Sequence, residues 1–167
     1  LVLIRSDKFK EFYKRFDLQE LNIDSVIVEP NVSKSGLVYS YTTEDLKKIR
    51  KRGLDILIRG GSGILRGDIL RACPKGIISF HHANNDINRG GPPGFWEVLQ
   101  KQRSTGFIIQ ILKDELDGGD VLFKGCISTN FIYSSNLAKL YIKSNIFMHK
   151  ALEQVFDEKA KLSIFPK

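Results

Sequence analysis

The sequence predicts an α/β fold with a mostly parallel sheet and helices on both faces, from three observations. Short apolar runs rich in Val, Ile and Leu recur along the 167 residues. Stretches with helical spacing fall between them. Gly and Pro mark the joints. Leu1–Ile4 reads as a short buried strand, and Lys8–Phe16, apolar at 9, 12, 13 and 16, as a helix. Ser25–Glu29 (Ser-Val-Ile-Val-Glu) reads as a strand ended by Pro30, and 31–41 as loop. Thr42-Thr43-Glu44-Asp45 starts a helix with a capping box, which Gly53 stops. Leu54–Ile58 is the next strand, followed by Gly60-Gly61-Ser62-Gly63. A short helix over Gly67–Ala72 turns out through Pro74-Lys75-Gly76, and the strand Gly76–Phe80 carries His81 at its C-terminal end. In open α/β sheets that is the end where ligands bind. Pro92 and Pro93 suit the first turn of a helix running to about Gln102. Thr105–Leu112 and Asp120–Cys126 read as strands, and Asn136–Phe156 as a long closing helix.

The length suits one domain, 1–167, with a real core. Lys and Arg outnumber Asp and Glu by 26 to 19, for a net charge of +7. The densest basic run, Lys47-Lys48-Ile49-Arg50-Lys51-Arg52, reads as a solvated helix face or as a field attracting an anion such as a folate, a nucleotide sugar or RNA. No aromatic residue interrupts it, which argues against a stacking platform for single strands. Cys73 and Cys126 stand alone, outside any zinc-ligand spacing, as reduced thiols of a cytoplasmic protein. No apolar run reaches membrane-spanning length, and no signal peptide is visible. The chain opens on Leu1-Val2-Leu3-Ile4 without an initiating Met, as a fragment would.

Two runs can carry chemistry. The first, Ser79-Phe80-His81-His82-Ala83-Asn84-Asn85-Asp86-Ile87-Asn88-Arg89-Gly90, places a His at a strand end beside a polar loop. The second, Leu116-Asp117-Gly118-Gly119-Asp120, places an Asp in a Gly-flanked turn. Each alone has a structural reading: a core His, and an Asp capping its own turn. His82 points away from His81 if the backbone stays extended. Gly60-Gly61-Ser62-Gly63 lacks a dinucleotide or Walker spacing and is explained equally by a tight turn. Arg89 is either a loop residue or a bidentate anion contact. Phe95 and Trp96 read as core anchors.

Taken together, His81, Arg89-Gly90, Pro93, Thr105-Gly106 and Leu116-Asp117-Gly118-Gly119 fall in an order and spacing that resembles the folate-dependent formyltransferase family. That family includes glycinamide ribonucleotide, methionyl-tRNA and sugar N-formyltransferases. The likeness spans about residues 54 to 127. It implies a Rossmann-like formyltransferase fold, lacking here the family's first N-terminal strand and its Gly-rich turn. It implies His81 and Asp117 as catalytic residues and 10-formyltetrahydrofolate as co-substrate, with no metal. The pterin would sit between Gly63-Ile64-Leu65 and the turn from Lys113 through Asp114 and Leu116 to Asp117, held largely by backbone groups.

The sequence also departs from the family. Ser79 stands where the family has an oxyanion-binding Asn, and His82-Ala83-Asn84-Asn85-Asp86 replaces Pro-Ser-Leu-Leu-Pro. A Ser hydroxyl donates one hydrogen bond at shorter reach; Asn84 or Asn85 swinging in is the alternative, and an impaired folate-binding domain is another. The altered loop with intact His and Asp points to a subgroup with its own amine acceptor. An amino sugar nucleotide comes first, then methionyl-tRNA, with which the positive charge agrees, then glycinamide ribonucleotide. Hydrolysis of the same donor by water would use the same two residues.

Overall fold

The computed structural model describes residues 18–21, 23–61, 63–83, 91–115 and 118–157. The expected strand Leu1–Ile4 and helix Lys8–Phe16 lie outside them, as do Ser62, Asn84, Asn85, Arg89, Leu116 and Asp117. The described chain forms two compact units, one from 18–79 with 110–120, the other from 80–109 with 121–157.

The first unit opens with a short 3-10 turn, Leu18–Leu21. Residues 23–30 then run without regular structure, so the expected strand at Ser25–Glu29 does not form. Its apolar residues lack a buried face: Val26 and Ile27 are both exposed. The expected loop at 31–41 is instead a hairpin. Its strands are β1 (Asn31–Val32) and β2 (Val38–Ser40), paired antiparallel and turned through Gly36 at φ +73°. Strand β4 (Ile64–Leu65) pairs parallel to β2.

Helix α1 (Thr43–Arg50) starts where the capping box predicts. Thr42 Oγ1 accepts from Asp45 N at 3.1 Å and donates to the Asp45 carboxylate at 2.7 Å. That contact and Lys48 hold the Asp45 carboxyl below its ordinary pKa. Gly53, at φ +62°, donates its N–H to Arg50 O and ends the element. The basic run is partly answered by acids, with Lys48 on Asp45 at 3.2 Å and Arg52 on Asp24 at 2.5 Å. Leu46, Ile69, Leu70, Ala72 and Ile77 form the unit's core, flanked by Tyr41, Ile49, Leu57, Leu65 and Leu112. Each fully buried Leu or Ile contributes roughly 1.5–3 kcal/mol. This core fixes β3 (Leu57–Arg59), the 3-10 turn Asp68–Arg71 and β5 (Ile77–His81), with β3 and β5 parallel.

In the second unit α2 is only Phe95–Leu99. Pro92 and Pro93 do not form its first turn, because Gly94 intervenes in the left-handed region at φ +66°. The helix stops short of Gln102 because Lys101 turns to φ +56°. Its inward face is Gly94, Glu97 and Val98, which leaves Trp96 at 39% exposure and Phe95 half-buried, so Trp96 is not a core anchor. Strands β6 (Ser104–Ile111) and β7 (Asp120–Ser128) follow. Thr129 N donates to Arg103 O, while an added Cβ on Gly125 would strike the Phe107 ring, so the two strands run antiparallel. Helix α3 (Tyr133–Phe156) closes the unit, its Phe147 packing on Phe107 of β6 and Phe123 of β7.

Asn136, fully buried, ties these parts together. Its amide donates to Gly94 O at 3.2 Å and to Thr105 Oγ1 at 3.0 Å, and its carbonyl accepts from Asn130 N at 3.0 Å. Thr105 Oγ1 also meets Thr129 Oγ1 at 3.0 Å. The Thr-Gly motif therefore anchors α2 and α3 through one buried amide. The fold is α/β, but its sheets are small and mixed, in the orders β1-β2-β4 and β3-β5-β6-β7. The antiparallel hairpin and the β6–β7 pair replace the mostly parallel arrangement expected.

Candidate functional site

His81 is the last residue of β5, as the sequence predicts, half-buried and with its Nε2 shielded from solvent. The neighbouring imidazole is committed elsewhere. His82 stacks on Phe80 at 5.1 Å and meets the edge of Tyr141 at 4.7 Å. Its Nε2 lies 3.0 Å from Ser144 Oγ. Ser144 spends its hydroxyl proton on Tyr141 O at 3.1 Å, so Nε2 of His82 must be the donor. Burial, then the neighbouring His81, lowers the His82 pKa to about 4. His82 is thus a neutral structural ring on α3. Because strand neighbours alternate sides, the stacking of Phe80 with His82 turns His81 to the opposite face.

Ser79 occupies the strand interior, 2% exposed and in register with Arg59 of β3. Alternation gives it the same side of the strand as His81. Arg59 donates to Gly63 O, and partial burial lowers its pKa. That contact holds the loop after β3. Gly63 sits at φ +87°, where a side chain would strike the Tyr39 ring, so only glycine fits. Ile64 and Leu65 are half-buried in β4.

Lys113 and Asp114, expected beside the folate, have their side chains engaged in ion pairs. Lys113 bonds Asp120 at 2.6 Å, and Arg71 bonds Asp114 at 2.6 Å, which raises the Arg71 pKa. Gly118 N donates to Glu115 O at 3.1 Å, joining the residues that flank Leu116-Asp117. A Cβ on Gly119 would overlap Ile111 O and approach Gln110 Oε1 to 3.0 Å. Gln110 is a residue that the motif reading passed over. It is the one strongly polar side chain in Phe107-Ile108-Ile109-Gln110-Ile111-Leu112, and that interruption of an apolar strand was the available signal.

No protein-family profile matches the chain. Methionyl-tRNA formyltransferase of Bacillus subtilis (strain 168) is 26% identical over 125 residues, 74% of this chain and 39% of that protein. This likeness supports the resemblance to the folate-dependent formyltransferase family carried by the motifs. The chain spans about two fifths of the length of that curated relative.

Solved structures agree on the fold. Phosphoribosylglycinamide formyltransferase from Campylobacter jejuni superposes with a TM-score of 0.57 at 15% identity, covering 67% of this chain and 60% of that one. The formyltransferase PseJ from Anoxybacillus kamchatkensis gives 0.53 at 19%, covering 68% and 61%. PseJ was solved with UDP-4,6-dideoxy-4-formamido-L-AltNAc and tetrahydrofolate. Among the described residues no group of His, Cys, Asp and Glu is arranged to hold a metal, and no helix is long and apolar enough to cross a membrane.

Proposed function

We propose that the protein is a cytoplasmic enzyme that transfers a formyl group from 10-formyltetrahydrofolate to an amine, most favourably that of an amino sugar nucleotide. The observation that carries this reading is the division of labour at the end of β5. His82 is held neutral against α3, and strand alternation turns His81 to the opposite face, where this reading puts the reaction. The relatives' names and the folate and formamido sugar held by PseJ support the donor and the preferred acceptor. Methionyl-tRNA is the second reading, favoured by the methionyl-tRNA formyltransferase relative and the +7 charge.

The reaction follows from the residues. The acceptor's neutral amine attacks the formyl carbon, and the carbonyl electron pair moves onto oxygen. His81 donates a hydrogen bond to that oxyanion, with the Ser79 hydroxyl as second donor. Asp117 supports the cationic imidazole and takes the proton released by the attacking nitrogen. Collapse re-forms the carbonyl and breaks the bond to N10 of the folate, which leaves with a proton. Alignment of the two reactants provides the remaining acceleration, without a metal.

The pterin lies along Gly63-Ile64-Leu65 and the segment from Lys113 and Asp114 through Leu116 to Asp117. The engaged side chains of Lys113 and Asp114 leave backbone groups to contact it, and the fixed loop at Gly63 supplies a preformed edge. The test is substitution. His81→Ala and Asp117→Asn each abolish folate-dependent formylation of an amine; full activity in either variant removes the proposal.

A further inference from the structure

Gln110 is 5% exposed in β6, and its Oε1 is buried without a hydrogen-bond partner among the described residues. A buried amide oxygen deprived of a donor is destabilising, and its retention calls for a reason. Its surroundings supply one. Gly119 packs so closely against Gln110 Oε1 and Ile111 O that only a glycine is accommodated there. The ion pair between Lys113 and Asp120 and the Gly118-to-Glu115 hydrogen bond tie down the same connection. The oxygen thus borders Gly119.

We propose that Gln110 Oε1 is a substrate-binding acceptor, completed when an N–H of a bound substrate donates to it, a role that rests on the formyl-transfer reading above. Two N–H sources share this chemistry: the pterin ring of the folate and the acceptor amine.

The test is Gln110→Met, which keeps length and volume and removes the acceptor. Its ligand-free Tm should equal or exceed that of the wild type, because the orphan oxygen is gone. Tetrahydrofolate is then added to both proteins. A Tm shift lost in the variant, matching about tenfold weaker binding, assigns the donor to the folate. A retained shift with the KM for the amine raised about tenfold assigns it to the acceptor. A ligand-free Tm below wild type makes the amide structural and overturns the proposal, as do an unchanged shift and unchanged KM together. A wild-type protein that shows no tetrahydrofolate shift brings down the formyl-transfer reading itself, and this proposal with it.

Discussion

Acidification should weaken this protein through His82. The unfolded imidazole titrates near 6.5, and the folded one at about 4, pulled down by burial and by His81. The folded state holds the neutral ring, which donates through Nε2 to Ser144. Its contribution is complete above pH 6.5, shrinks as the unfolded chain takes up a proton that the native ring refuses, and is lost as the pH falls through 4. At pH 5 the linkage relation gives a loss of about 2 kcal/mol, approaching about 3 kcal/mol below pH 4. The ring is partly accessible, so these are upper values. The assay is urea unfolding followed by the fluorescence of Trp96, the single tryptophan, at pH 7.5 and pH 5. His82→Phe preserves the stacking partners Phe80 and Tyr141 and removes the titration. The variant should lose about 2 kcal/mol less than the wild type between the two pH values. Groups elsewhere, such as Asp45, titrate in both proteins and cancel. Equal acid losses in both would refute the reasoning.

Asn136→Ala removes the amide that serves Gly94 O, Thr105 Oγ1 and Asn130 N, and unsatisfied buried groups cost about 1–3 kcal/mol each. Urea unfolding should show a loss of at least about 3 kcal/mol, well beyond that of Thr129→Val. Ser79→Ala should lower kcat by ~100-fold or more with little change in KM, since an oxyanion donor acts in the transition state. A kcat within a few-fold of wild type would show that Ser79 only fills the strand.

Local chemistry strong enough to stand alone was legible in the sequence. Thr42 caps α1, Gly53 ends it, and the spacing of α3 is read nearly to its ends. The strand that presents His81 was equally clear, because Ile77 and Ile78 are buried apolar residues running into a polar loop. Elements that depend on partners were not. Ser25–Glu29 has strand composition, yet Val26 and Ile27 face solvent and no ladder forms. The β1–β2 hairpin was hidden by polar residues, although Ser33-Lys34-Ser35-Gly36 is a turn sequence. Trp96 looked like an anchor by size alone, and the left-handed Gly94 sets a helix phase that turns it outward. Within the proposed site, His81 and the Gly-flanked turn stood out by residue type. Gln110 did not, because its significance lies in the missing donor and the approach of Gly119, which only coordinates reveal.

The most direct test of the central claim is the mass of the acceptor after incubation with 10-formyltetrahydrofolate and a panel of amines that includes amino sugar nucleotides. The account predicts addition of one formyl group by the wild type and none by His81→Ala, with tetrahydrofolate binding retained in the variant. An unmodified panel with the wild type, or an undiminished product with His81→Ala, would contradict it.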